Sequence, residues 1–292
     1  MQALGSYPIT IAGNEQQKSR YLPPIARGEA IAAFALTEPQ AGSDISSMET
    51  RAMRRGKEYL LTGVKRFISN AGLAQTYVVF ASTDPEKKAK GISAFVVEAD
   101  TPGFVFKEKT SLLSPHPIGV IAFEECRIPK TQLLGSEGEG LKIALATLDT
   151  LRCTVGAAAV GLAQRALEEA IRYSQSRHQF GQELAQFQGI QFKLADMATE
   201  LEASRLLVYQ AAWMNDRGQK GLTQKSSMAK LFATEAAQRI VDQALQIHGG
   251  MGVVVGTPVE KLYRDVRALR IYEGTSEIQR IVIARTLLEK KF

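Results

Sequence analysis

Near its C-terminus the chain reads Arg270-Ile271-Tyr272-Glu273-Gly274-Thr275-Ser276-Glu277-Ile278-Gln279-Arg280. An apolar run delivers one carboxylate, Glu273, to a glycine, and a helix is expected immediately after. Ser276 with Gln279 fits the S/T-x-x-E/Q capping box, which places the helix N-terminus at Thr275 or Ser276. Gly274 lets the backbone turn tightly or approach a ligand closely. The free amides of the first helical turn then face whatever lies beside Glu273, and they favour negative or electron-rich groups. A carboxylate in this setting suits a general base. The same residues also fit an ordinary surface glutamate ahead of a capped helix.

Working upstream, the apolar period is helical from Glu137 onward. It predicts long helices over 138–176, 186–217 and 223–248, the last stopped by Gly249-Gly250. Gly156 and Gly161 interrupt the first of them, either tolerated or placed for close helix contact. Thr257-Pro258-Val259-Glu260 reads as a capping box with proline at the first helical position, opening a fourth helix. Together with the helix from Ser276 this predicts a four-helix-type bundle over 137–292.

Residues 30–136 have a different texture. Ile31–Leu36, Tyr59–Gly63, Thr76–Ala81, Ile92–Val97 and Val120–Phe123 are short apolar or alternating runs separated by Gly, Pro, Asp and Lys. Such spacing predicts an antiparallel β-sandwich or barrel. Residues 1–29 read as a short helix and a second helix stopped by Pro23-Pro24, a pair that must pack on something downstream. The fold class is therefore α+β and multidomain, with segments 1–29, 30–136 and 137–292.

At 292 residues, 45% hydrophobic and 23% charged, the chain can bury real cores and has no disorder signature. The net charge of +6 is dispersed. Its densest patch (Arg51, Arg54, Arg55, Lys57) lacks interleaved aromatics, so nucleic acid is not expected. Cys126 and Cys153 have no metal-ligand spacing and read as buried thiols in a reducing compartment. Three scattered histidines make no metal site. No apolar run of membrane length and no leader is apparent, and a soluble cytoplasmic protein is expected.

Four further stretches carry polar groups suited to a cofactor. Leu36-Thr37-Glu38-Pro39-Gln40-Ala41-Gly42-Ser43-Asp44 follows the first strand, with hydroxyls at Thr37 and Ser43 and an approachable backbone at Gly42. Lys65-Arg66-Phe67-Ile68-Ser69-Asn70 ends another strand with a ring and a hydroxyl. Arg177-His178-Gln179-Phe180-Gly181 with Phe187-Gln188 suits a pyrophosphate and an adenine, through charge-assisted bonds and stacking. Gln246-Ile247-His248-Gly249-Gly250 is either a plain helix stop or part of the same site. Asp149 and Arg152 share a helix face, as a surface ion pair or as site residues.

Taken in order, these stretches resemble the acyl-CoA dehydrogenases. Tyr272-Glu273-Gly274-Thr275-Ser276 is similar to the motif around that family's catalytic base. Leu36–Asp44 is similar to its flavin loop T-E-P-x-A-G-S-D, and Phe67-Ile68-Ser69-Asn70 to its Trp-Ile-Thr-Asn. Asp149–Arg152 fits Asp-x-x-Arg, and Gln246–Gly250 fits Gln-x-x-Gly-Gly. Leu151, at a position where some members carry their base, cannot serve, which leaves Glu273. The resemblance covers nearly the whole chain, and most of the family's N-terminal helical domain is absent from it. Residues 1–29 would then be a remnant whose apolar faces lack partners. Before Phe123-Glu124-Glu125-Cys126 the family commonly has an Arg and a Ser near the thioester, where this chain has Ser114-Pro115-His116-Pro117-Ile118-Gly119.

The resemblance implies FAD-dependent α,β-dehydrogenation of an acyl-CoA, with Glu273 removing the α-proton and the β-hydrogen leaving as hydride. It places Phe34, Leu36, Thr37, Gly42, Ser43, Phe67, Ser69, Thr275 and Glu277 on the FAD. Ser43, Asp149, Arg152, Tyr272 and Gly274 fall on the thioester substrate. Arg177, Gln179, Phe180, Phe187, Gln188, Gln246, Gly249 and Gly250 reach a neighbouring subunit's FAD. It further implies a homo-oligomer built as a dimer of dimers, fatty acid metabolism, and an electron-transfer flavoprotein as acceptor. An oxidase of the same fold and a non-catalytic assembly subunit are the rival readings.

Overall fold

The computed structural model describes residues 2–289. It divides into a β-rich unit, Met1–Leu148, and a helical unit, Asp149–Phe292. The β-rich unit opens with α1 (Gln2–Ala12) and α2 (Glu15–Ala26). Asn14 caps α2 reciprocally with Gln17, each side chain accepting the other's backbone N–H at 2.9 Å. Pro23 and Pro24 do not stop this helix but lie within its last turn. Their carbonyls still accept from Arg27 and Glu29, so the turn closes without their missing donors.

Strands β1 (Ala32–Ala35), β2 (Arg51–Arg55), β3 (Glu58–Ser69), β4 (Thr76–Ser82), β5 (Ile92–Glu98), β6 (Phe104–Lys109), β7 (Ile118–Pro129) and β8 (Leu133–Leu134) follow. They form one sheet in the order β6-β7-β3-β2-β4-β5-β8, with β1 added to β4. Pairing is antiparallel except for β1 with β4 and β2 with β4, which run parallel. Strands β4 and β5 are buried on both faces, which explains their unbroken apolar runs. Tyr77, Val79 and Ala81 enter one core, while Val78 and Phe80 enter the other together with Ile9 and Tyr21 of the first two helices. The apolar faces expected to lack partners in residues 1–29 are thus largely covered by the sheet. Gln17 ties α2 to the strand end by donating to Thr131 O and Leu133 O at 2.8 and 3.0 Å.

Helix α3 spans Gly140–Ser176, and a β9–β10 hairpin (His178–Gln179, Gln182–Glu183) leads to α4 (Gln188–Asp216) and α5 (Leu222–His248). Two shorter helices close the chain, α6 (Pro258–Arg267) and α7 (Ser276–Leu288). The core between them is rich in alanine, including Ala159, Ala163, Ala166, Ala229, Ala233 and Ala237. Small side chains let the helices approach closely, and Gly156 marks such an approach between α3 and α4. A Cβ there would meet Val208 Cγ2 at 2.8 Å, whereas nothing crowds Gly161. By length and composition α3 could cross a membrane, against the reading of the sequence. Its apolar residues from Cys153 to Ala170 instead fill the bundle core. Both cysteines are buried and free.

Candidate active site

Glu273 lies between a short 3-10 turn, Ala268–Arg270, and α7. Its backbone is left-handed, φ 54°, and Gly274 follows at φ 89°. Only glycine suits the second position, since a Cβ would also meet Gln279 Nε2 at 2.6 Å. The predicted capping box does not form. Thr275 caps α7, its Oγ1 accepting from Ile278 N–H at 3.3 Å. Ser276 Oγ donates instead to Glu235 at 2.6 Å, and Gln279 Nε2 donates to the Glu273 and Gly274 carbonyls at 3.2 and 2.9 Å. A cap diverted in this way fixes the turn rather than the helix end. The Thr257 box fails as well, because Glu260 is taken by Arg264 and Thr257 Oγ1 donates to Val254 O.

The carboxylate itself is poised. Oε2 is buried and has no hydrogen-bond partner in the protein. Burial pushes the acid up to about 7, against the pull of Lys230 and Arg152. Tyr272 beside it is pushed up to about 12, by burial and then by the Glu273 charge. Arg152 is almost fully buried and pairs with Asp149 at 2.5 Å, so this is no surface ion pair. Asp149 also accepts from Thr223 Oγ1 at 2.6 Å, and Arg152 Nε is left unpaired. Asp149, Arg152, Tyr272, Glu273 and Gly274 therefore belong to one neighbourhood of the helical unit. A buried carboxylate oxygen and a buried guanidinium N–H in one electrostatic neighbourhood, both without a protein partner, suit a ligand that is not protein.

A second group occupies the far end of the same bundle. The His248 ring stacks on Tyr173 (4.3 Å between centroids), joining the C-terminal ends of α3 and α5. That brings Arg177, Gln179, Phe180, Phe187 and Gln188 to the same end as Gln246, Gly249 and Gly250. Phe180 and Gly181 turn the β9–β10 hairpin with positive φ at both positions, as a two-residue hairpin loop demands. A phenylalanine held left-handed and 94% exposed is displayed rather than packed. Thr275 and Glu277 stay at the start of α7.

In the β-rich unit, Phe34, Thr37, Gly42, Ser43, Phe67 and Ser69 line exposed or half-buried surface. Leu36 differs, for its side chain joins the core and its carbonyl accepts from Lys65 Nζ at 3.1 Å. Phe67 is 48% exposed at φ 56°, with the Arg66 guanidinium 4.9 Å from its ring. A Cβ on Gly42 would meet nothing. Displayed rings, the hydroxyls of Thr37, Ser43 and Ser69 and an open glycine loop fit a planar ring with polar edges, and Arg177 with Phe180 fits a pyrophosphate and an adenine. The residues present thus suit FAD.

Three contributors escaped the reading of the sequence. Glu38 forms a fully buried ion pair with Lys65 at 2.7 Å and accepts N–H donors from Glu49 and Thr50, at 2.6 and 3.0 Å. The flavin-type loop is thereby clamped to β3. His116 Nε2 lies 2.9 Å from Ser69 Oγ, which brings the atypical Ser114–Gly119 stretch onto a predicted cofactor residue. Lys230 is buried under the Glu273 turn. A charged residue within an apolar stretch, the strand β3 for Lys65 and the helix α5 for Lys230, was the only signal.

Comparison with known proteins agrees over nearly the whole chain. Residues 33–126 match the acyl-CoA dehydrogenase middle domain and 138–288 match the acyl-CoA dehydrogenase C-terminal domain. An acyl-CoA dehydrogenase of Bacillus subtilis is 46% identical over 98% of this chain and 76% of its own length. The rat mitochondrial short-chain specific acyl-CoA dehydrogenase is 48% identical over 96% of this chain and 68% of its own. The solved butyryl-CoA dehydrogenase of Megasphaera elsdenii superposes with a TM-score of 0.96 at 42% identity, covering 98% of this chain and 76% of that one.

Proposed function

The chain belongs to the acyl-CoA dehydrogenase family, and from that premise we propose that Glu273 is the base that removes the α-proton of a bound acyl-CoA. The observation that carries this reading is the unpaired, buried Glu273 Oε2 on a left-handed turn, with a proton affinity lifted to about 7. A general base works best when its pKa lies near the working pH. An α-proton next to a thioester is weakly acidic, so the base needs a fixed position and a polarised carbonyl. The Glu273 N–H is the protein donor assigned to the thioester oxygen. Asp149, Arg152 and Tyr272 orient the substrate beside the base.

Phe34, Thr37, Gly42, Ser43, Phe67 and Ser69 would hold FAD, which would supply hydride acceptance for the β-hydrogen, so that loss of proton and hydride together would leave an α,β double bond. An electron-transfer flavoprotein is the acceptor that fits the family, in a cytoplasmic setting. The deciding experiment is anaerobic addition of acyl-CoAs of graded length and branching to the purified yellow protein. Bleaching of the flavin absorbance is expected. No bleaching with any acyl-CoA supports the assembly-subunit reading, and rapid turnover with oxygen alone supports an oxidase.

The two groups of site residues in the helical unit further support an oligomer. Roughly two dozen helical residues separate Arg152 from Arg177, on the order of 35 Å at ~1.5 Å each. A cofactor whose reacting ring meets the substrate beside Arg152 does not span that distance, so the Arg177–Phe180 arm serves the cofactor of another subunit. Exposed Phe192, Leu206, Tyr209 and Trp213 on α4 supply apolar surface for association, in a proposed dimer of dimers. Arg177→Ala is expected to lower FAD retention and loosen the assembly together. Sedimentation and flavin content, measured on one preparation, check this. A fully flavinated monomer contradicts it.

A further inference from the structure

One buried cation in the helical unit has no part in the chemistry just described. Lys230, on α5, is 0% exposed, and its Nζ donates to the Gly274 carbonyl at 2.9 Å. An ammonium is expensive to bury, and an unbranched apolar side chain would fill the same space. The charge must therefore act on what it touches. It touches the turn that carries Glu273. Two successive left-handed residues, one of them not glycine, persist only where their surroundings over-determine them. Here Lys230 and Gln279 converge on the same Gly274 carbonyl, each at 2.9 Å, and Gln279 also holds the Glu273 carbonyl.

We propose that Lys230 is a positioning residue for Glu273, its ammonium locking the left-handed turn that presents the carboxylate. The proposal rests on the reading of Glu273 as the base. Among the described residues of the helical unit, the groups that act on Glu273 are few. Lys230 on α5 and Arg152 on α3 attract it. Asp149 is paired with Arg152 and Thr223, and Glu235 with Arg270 and Ser276. Glu277 is exposed on α7, while Tyr272 and Cys153 are neutral near pH 7. Burial lifts Glu273 and the two cations oppose the lift, so loss of either cation raises its proton affinity further. Burial also lowers Lys230 itself to about 8, opposed by Glu273, so the cation is present at neutral pH and fades in alkali.

The test uses the FAD-loaded oligomer and stopped-flow flavin bleaching as a function of pH, with saturating acyl-CoA. Lys230→Met removes the charge at similar length, Lys230→Gln keeps a donor for Gly274, and Lys230→Arg keeps both. In Lys230→Met the pH midpoint is expected to rise by about one unit and the plateau rate to fall about tenfold. Lys230→Gln should show the shift with a smaller plateau loss, and Lys230→Arg should restore the midpoint. Difference infrared titration of the Glu273 carboxyl in ligand-free protein reads the same shift without turnover. Wild-type midpoints in both Lys230→Met and Lys230→Gln overturn the proposal. Should Lys230→Met not fold, Lys230→Gln and the infrared titration decide alone. Glu273→Gln distinguishes the two readings: if it still bleaches at the native rate, the base lies elsewhere. If it is inert while the lysine variants keep the native midpoint, only the role of Lys230 falls.

Discussion

Glu273→Gln should bind FAD and acyl-CoA as the parent does, yet reduce its flavin ~10²–10⁴-fold more slowly, the usual worth of a positioned base. The substitution replaces one carboxylate oxygen by an amide nitrogen, with little change in volume. The turn that presents the side chain is held through backbone carbonyls, by Lys230 and Gln279, so its shape does not depend on the carboxylate. What disappears is the proton acceptor at Oε2, the atom that no protein group satisfies. The parent's pH dependence has a definite sign. Only the ionised acid can accept a proton, so the rate of flavin reduction rises with pH through about 7, where burial places the group. The variant has no such rise. Rapid-mixing spectrophotometry across pH checks both features. Near-native reduction by Glu273→Gln would falsify the assignment, and a flat profile in the parent would mean that proton transfer is not what limits reduction.

Lys65→Met is expected to lower unfolding stability by about 3–5 kcal/mol, the loss typical when one partner of a buried pair is removed. Lys65 and Glu38 have side chains 0% and 2% exposed. In the native protein burial pushes Glu38 upward, but Lys65 and the Thr50 and Glu49 donors more than offset it and hold the acid below its usual range. Without the ammonium, Glu38 is a buried anion with two backbone donors, and the Leu36 carbonyl loses its partner as well. The loop from Thr37 to Ser43 then loses its clamp on β3, so flavin affinity falls along with stability. Denaturant unfolding followed by circular dichroism, together with flavin retention, measures the two losses. The double variant Glu38→Gln/Lys65→Met should recover part of the stability, because no uncompensated charge remains. A loss below about 1 kcal/mol in the single variant would mean that water or relaxation compensates the charge, contrary to the pair's burial.

How far the sequence goes depends on whether the cause of a feature is local. The two-residue and 3.6-residue apolar periods are local properties, and they located β1, β4, β5 and the long helices within a few residues, but reached only part of β3 and β7 and left β2, β6 and β8 unmarked. Asp149 and Arg152 are three apart on one helix, so their pairing follows from the helix alone. Glu273 before Gly274 is local as well, and glycine is the residue that such a turn requires.

Capping boxes are local in geometry but open to competition. Ser276 was drawn away by Glu235, and Glu260 by Arg264, because a longer-range or charged partner outweighs a single backbone N–H. Pro23 and Pro24 likewise look like a helix stop until their carbonyls find acceptable donors downstream.

Tertiary structure alone decided the electrostatics. Lys65 and Glu38 lie 27 positions apart, Ser69 and His116 47, and Lys230 and Gly274 44. Nothing in a linear pattern states which charges will share a water-free volume. A lysine in an apolar helix reads equally as a solvated side chain or a buried cation. Burial makes the difference, since removing water strengthens every remaining interaction and shifts each proton equilibrium. The sequence by itself therefore determined where Glu273 stands and that a tight turn carries it. Only the folded packing of α3, α5 and α7 decided that Glu273 Oε2 would be buried and unpaired, within the fields of Lys230 and Arg152.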